Sequence, residues 1–264
     1  MNVDSFPINS ECHPDPPRVV VWFSCGATSA VAAKMAIKKY GPDRCVVAYC
    51  DTGSEHEDNA RFLKDVERWL GLEITILKNP KFKDIWDVFE KRRYIAGVAG
   101  APCTSELKKR MRSEFERYDD IQVFGFDLAE EGRVEKFRKN NPEVNLDPIL
   151  FEHQLSKADC LALLRKAGIE PPITYSYMRN ANCLGCPKGQ MGYWNVIRKH
   201  HPDVFERMAK LERELNAAIN KKYVNGKRTR VFLDELDPEA GNYKTEPEIS
   251  CGMFCSAELS SLES

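Results

Sequence analysis

The segment Arg18-Val-Val-Val-Trp-Phe23 is β-branched and aromatic, and it breaks at once into the small residues Ser24-Cys-Gly-Ala-Thr-Ser29 before an alanine-rich stretch to Lys39. A short apolar run, a tight turn and a helix-forming stretch predict strand, loop and helix in that order. The pattern then recurs. Arg44 to Cys50 is a second apolar run, ending in Asp51-Thr-Gly53, and Phe62, Val66, Trp69 and Leu70 follow at helical spacing. Glu73 to Leu77 predicts a third strand, and Phe82, Ile85, Trp86 and Phe89 fall on one face of a helix. Ile121 to Phe126 predicts another strand. Parallel strands need crossover connections, and a helix is the usual one. The expected fold class is therefore α/β: a doubly wound, mostly parallel sheet with helices on both faces. Ligands of such sheets bind beyond the carboxyl ends of the strands, which directs attention to Ser24–Ser29, Asp51–Gly53 and Gly125–Arg133.

The second half reads differently. Ser156-Lys-Ala-Asp159 has the form of a helix cap, Pro171-Pro172 interrupts, and Asn182 to Cys186 is a cysteine-bearing turn. A long helix is expected from Pro202, with Val204, Met208, Leu211 and Leu215 on one face. The domain plan expected is a lead-in over 1–17, an α/β domain over 18–175, and a cysteine-rich turn, long helix and tail over 176–264 packed on the same domain. Met1 to Pro17 lacks the basic end and apolar run of a secretory signal. No apolar stretch approaches the roughly 18 residues of a membrane helix, so no membrane partner and a cytoplasmic location are expected. In that setting the ten cysteines point to metal or redox chemistry rather than to disulfides. With 39 basic and 40 acidic residues, bulk electrostatic coating of nucleic acid is excluded, although a local basic patch is not.

A small-residue turn between a buried strand and a helix leaves backbone N–H groups at the positive end of the helix dipole, an anion site. In Ser24, Cys25, Gly26, Ala27, Thr28 and Ser29 the glycine permits close backbone approach and the hydroxyls add donors; the lysine of a Walker A loop is missing. This loop resembles the Ser-Gly-Gly-x-Asp-Ser signature of the PP-loop adenine nucleotide superfamily. Asp51-Thr-Gly-Ser-Glu55 is similar to the Asp-Thr-Gly-x-Glu segment of phosphoadenosine phosphosulfate reductases. Cys103-Thr-Ser-Glu-Leu-Lys-Lys109 and Gly125-Phe-Asp127 through Arg133 resemble two later segments of the same family. The resemblance implies an adenine nucleotide, ATP or a phosphoadenosine phosphosulfate-like compound, bound by Ser24–Ser29 together with Asp51, Thr52 and Gly53. It also implies phosphate or sulfate contacts from Lys108 and Arg133, whose charges suit such oxyanions. Thr28 stands where ATP-splitting members carry aspartate, so a Mg2+-dependent role through that carboxylate is not implied; Asp51 is left as a ribose or Mg2+ contact.

Cys183-Leu-Gly-Cys186 has a spacing that lets two thiolates meet one metal. The resemblance adds Cys103 as third ligand of a 4Fe-4S cluster, with Thr104 where relatives have an adjacent second cysteine. Three ligands would leave one iron open, as in cluster-dependent tRNA thiolases of this fold; alternatively Cys251 or Cys255 supplies the fourth. Zinc is the alternative metal. Ser250-Cys-Gly-Met-Phe-Cys255 resembles the Glu-Cys-Gly-Leu-His end of the reductases, which makes Cys251 a candidate nucleophile. Tyr175, Tyr177, Tyr193 and Trp194 bracket the CxxC turn as packing or as a stacking surface, and Cys12, Cys45 and Cys160 read as incidental or core residues. The function implied is sulfonucleotide reduction, with a thioredoxin-like donor, or sulfur transfer to a small or nucleic-acid acceptor, for which Lys108 to Arg112 is a candidate docking segment. A nucleotide-binding module with structural zinc and no chemistry is the alternative from another class.

Overall fold

The computed structural model describes residues 16–97, 100–249 and 251. Among them the chain divides into two compact units, one made of 16–51, 57–78 and 108–175, the other of 52–56, 79–107 and 176–251.

The first unit is built on five parallel strands: β1 (Val19–Phe23), β2 (Cys45–Asp51), β3 (Ile74–Lys78), β4 (Ile121–Val123) and β5 (Asn145–Asp147), in the order β3-β2-β1-β4-β5. All five β1 residues are buried, as a central parallel strand covered on both faces requires. Val19, Val21 and Phe23 join a core with α1 (Ala27–Tyr40), α2 (Asp58–Leu70) and the cap-initiated helix Lys157–Lys166. On the other face Trp22 packs edge-on against Phe115, whose helix is Arg110–Phe115. This is the doubly wound α/β arrangement.

The chain winds from β1 out to β3 and then returns to β4 on the other side of β1. The switch point therefore lies between β1 and β4, where folds of this class place their ligands. The strand expected over 121–126 stops at Val123, because Phe124 and Phe126 turn into a ring cluster with Phe137. The three-residue β5 was too short to register as a periodic signal.

The second unit has its own core, assembled from α3 (Ile85–Arg92), Cys103, Leu107, the CxxC turn, and the helices α4 (Met191–His200) and α5 (Pro202–Leu215). It carries a two-stranded antiparallel ribbon, β6 (Asn220–Val224) and β7 (Lys227–Val231). No helix among the described residues is long and apolar enough to cross a membrane.

Candidate functional site

The phosphate loop closes on Ser29. Its hydroxyl receives hydrogen bonds from the Ser24 N–H and the Ser24 hydroxyl, both at 3.1 Å, and donates to the Gly26 carbonyl at 3.0 Å. Gly26 occupies the cap position of α1 without any side-chain cap, and the first turn holds no acidic residue. The positive end of a 14-residue helix therefore has no side-chain cap, a geometry that can receive an anion. The Ala27 N–H at that end donates to the Tyr175 hydroxyl at 3.1 Å.

Cys25, standing for the family's first glycine, has φ of 54°. The turn still demands a left-handed residue, and cysteine adopts it at a cost of about 1–2 kcal/mol. Its side chain is fully buried in the sheet core, with Sγ 3.9 Å from the Asn59 carbonyl. Asn59 is itself 4% exposed, and neither its Oδ1 nor its Nδ2 has a hydrogen-bond partner among the described residues. A buried amide with nothing to bind is uncommon. Sequence reasoning passed over it because an asparagine one residue into a helix looks like an ordinary start signal.

Gly125 after β4 backs onto the loop: a Cβ there would meet the Ser29 nitrogen at 2.7 Å. Asp51 pairs with Lys78, its neighbour across β2 and β3, at 2.8 Å. Arg133 is paired with Glu130 and lies 5.0 Å from the Phe126 ring centre. Lys108 lies in a π-helical turn, Ser105–Lys109, and is half-buried; π turns recur at functional sites. The nearby Arg112 is paired with Glu116, and burial holds its guanidinium below the usual range. Lys108, Lys109, Arg110 and Arg112 are all half-buried.

In the second unit, Thr52, Ser54 and Glu55 organise the CxxC turn. Thr52 Oγ1 is 3.0 Å from Cys183 Sγ, the Ser54 carbonyl receives the Leu184 N–H at 2.8 Å, and Glu55 Oε1 lies 3.7 Å from Cys183 Sγ. Gly53, with φ of 63°, passes so near the Lys83 carbonyl that a Cβ would stand 2.1 Å from it. The Tyr193 hydroxyl braces the turn from inside, accepting from the Cys186 N–H at 2.9 Å and donating to the Cys183 carbonyl at 3.1 Å.

A strap over 243–251 closes on the same turn. Arg179 donates to the carbonyls of Lys244, Glu246 and Pro247, and Asn182 to that of Ile249. Glu246 caps α4, accepting from the N–H groups of Gly192 and Tyr193 at 2.6 and 3.0 Å. Sequence reasoning missed this clasp, because the partners lie more than 50 residues apart.

The strap brings Cys251 to Cys186. Cys251 packs against the core that holds Cys186, and its side chain, with burial and the neighbouring Cys183 and Cys103, holds the Cys186 thiol well above the ordinary range. Four cysteines from three stretches of chain, Cys103, Cys183, Cys186 and Cys251, thus meet at one core, all unbridged. As a donor set they suit a thiolate-bound centre; in their present positions no three His, Cys, Asp or Glu side chains among the described residues converge tightly enough to hold an ion. Thr104, in place of a further cysteine, is buried, and its hydroxyl has no hydrogen-bond partner among the described residues. Cys45 and Cys160 are core thiols, pushed up by burial to about 11 and about 12. Cys12 and Cys255 lie outside the described residues, as does most of the lead-in.

Comparison with known proteins agrees with the sheet and its loop. The sequence profile of the phosphoadenosine phosphosulfate reductase domain matches residues 18–95, from the start of β1 to just beyond α3. Residues 18–95 are thus similar to the phosphoadenosine phosphosulfate reductase domain. The matched stretch contains Ser24–Ser29 and Asp51–Glu55, two of the segments that carry the resemblance. An uncharacterized protein of Methanocaldococcus jannaschii is 28% identical over 208 residues, 74% of this chain and 42% of that protein. The chain spans less than half the length of this relative.

Proposed function

We propose that this chain binds the phosphate end of an adenylyl nucleotide in the loop Ser24–Ser29 and carries out sulfur chemistry at Cys103, Cys183, Cys186 and Cys251. Sulfonucleotide reduction is the leading reaction. The observation that carries the reading is that Cys103, Cys183 and Cys186 are buried in one core with Cys251 packed against it. In such a reaction the Cys251 thiolate attacks the sulfonyl sulfur, forming an S–S bond and releasing the adenine nucleotide as the S–O bond breaks. A second thiolate then attacks Cys251 Sγ, sulfite leaves with the electron pair, and a disulfide remains for a thioredoxin-like donor to reduce. Cys186, packed in the same core, is the candidate for that second thiol. The absence of a carboxylate in the first turn of α1 supports a loop that holds phosphate over one that splits ATP through Mg2+.

The same four side chains favour a second reading, in which they hold a 4Fe-4S cluster or, in its place, zinc. A cluster would supply an electron store or, with one iron open, a seat for transferable sulfur and a nucleic-acid or small acceptor. Two measurements separate the readings. Sulfite release from phosphoadenosine phosphosulfate with reduced thioredoxin, lost in Cys251→Ser and Cys186→Ser, is the expected result for reduction. Iron and sulfide in anaerobically purified protein, with a band near ~400 nm that dithionite bleaches, identify the cluster. Protein with neither sulfite release nor thionation of any acceptor, yet binding the nucleotide, would be a binding module.

A further inference from the structure

The β6–β7 ribbon bears a concentration of charge that neither the nucleotide nor the cysteine chemistry uses. The chain as a whole has a net charge of −1, but Lys221, Lys222, Lys227, Arg228 and Arg230 fall within ten consecutive residues that contain no acid. All ten, 221–230, are exposed, and none of the five cations has a carboxylate partner among the described residues. Arg230 donates only to the Asn216 carbonyl, at 3.1 Å.

The strand register sets like charges face to face. Lys221 lies directly opposite Arg230, and Tyr223 opposite Arg228. Side chains alternate across a ribbon, so Lys221, Tyr223, Arg228 and Arg230 share one face. Like charges directly opposed across a ladder destabilise it, a cost that folding alone gives no reason to keep. Tyr223 is 75% exposed at the centre of this face. The tip is Asn225-Gly226, both left-handed at φ of 51° and 74°, a tight hairpin turn that keeps the end narrow.

The base is rigid by comparison. Asn220 and Val231 are buried, and the Glu212 carboxylate receives the N–H groups of Ile219 and Leu233, both at 2.6 Å, just before and just after the two strands. What projects is a two-stranded antiparallel ribbon, roughly 17 Å long at the usual rise per residue.

We propose that this ribbon is a docking element for duplex DNA, entering the major groove with its cations on the flanking phosphates. A B-form major groove, about 12 Å wide, admits a two-stranded ribbon. The deep, narrow major groove of an A-form RNA duplex does not. A single exposed aromatic is too little for a stacking platform along single strands, and the polar Asn-Gly tip offers nothing to a bilayer interior. Docking of this kind requires neither the bound nucleotide nor the cysteine chemistry.

The test is fluorescence anisotropy of a labelled, mixed-sequence DNA duplex of about 25 base pairs, long enough for more than two helical turns, titrated with the full chain at several salt concentrations. The comparison variant is Lys221→Gln/Arg228→Gln/Arg230→Gln, whose exposed positions leave the fold intact, as a thermal melt will verify. The wild type should bind with log K falling linearly against log salt. In the variant affinity should drop at least tenfold at low salt, and the slope should become shallower by about 2 to 3, near 0.9 for each phosphate no longer neutralised. No binding by the wild type, an unchanged variant, or equal or tighter binding to an RNA duplex or to anionic vesicles would each overturn the proposal.

Discussion

At Gly125 there is no room for a methyl group. The atoms it would strike, the nitrogen and Cα of Ser29 at 2.7 and 2.9 Å, are backbone and cannot swing aside. Gly125→Ala should therefore push the exit of β4 off the phosphate loop, lowering stability by about 1–3 kcal/mol and weakening nucleotide binding. A denaturant midpoint together with a nucleotide titration checks both. Asn59 makes the opposite case. Its amide is buried without partners, so Asn59→Leu should raise the stability of the ligand-free protein by about 1–3 kcal/mol; a fall in the denaturant midpoint would show that the amide is satisfied after all. At this scale the sequence was informative where chemistry is carried by residue type. Ser24 to Ser29 were legible as an anion loop, and Cys25 as a departure, whereas its left-handed backbone and inward side chain depend on coordinates. Lys108 and Arg133 were picked by motif, and the partners that hold them, such as Glu130, were not foreseen.

Among the elements, the strap and the ribbon each involve a buried or half-buried charged side chain that binds backbone groups at several points. Arg179 binds three strap carbonyls, so Arg179→Ala should free Cys251 and speed its alkylation by a maleimide at least about tenfold, the population change expected for about 1.4 kcal/mol. An unchanged rate would mean that the strap is held by other contacts. Glu212 clamps the ribbon, and burial pushes its carboxyl up to about 7, against the pull of its two backbone hydrogen bonds. A carboxyl that keeps its proton longer in the folded than in the unfolded chain stabilises the fold while protonated. That contribution is complete below the ordinary value of 4.5 and is lost as pH rises to about 7. It amounts to about 3 kcal/mol at 1.36 kcal/mol per pH unit. Urea unfolding of wild type and Glu212→Gln from pH 4.5 to pH 7 should show the wild type losing stability relative to the variant; a constant difference would contradict it. The ribbon was legible in principle, since Asn225-Gly226 between two extended runs is a hairpin signal. It escaped notice because its strands are polar on both faces and show no apolar alternation.

For the molecule as a whole, the alternation of apolar runs and helical stretches from Arg18 to Phe126 was enough to place a parallel sheet with loops at its strand ends. The order β3-β2-β1-β4-β5 was not legible, since nothing in a run such as Val19–Phe23 records its neighbours. Nor was the interleaving of the two units, in which Asp51 belongs to one and Thr52 to the other, because that division follows from long-range packing. The central claim is that the uncapped start of α1 grips the phosphate of an adenine nucleotide. Its most direct test is a calorimetric titration of phosphoadenosine phosphosulfate, and in parallel ATP, into the wild type and Gly125→Ala. Saturable one-site binding at micromolar concentrations, about −8 kcal/mol, weakened at least tenfold in the variant, is the predicted result. Absence of binding by every adenine nucleotide, or equal affinity in both proteins, would contradict it.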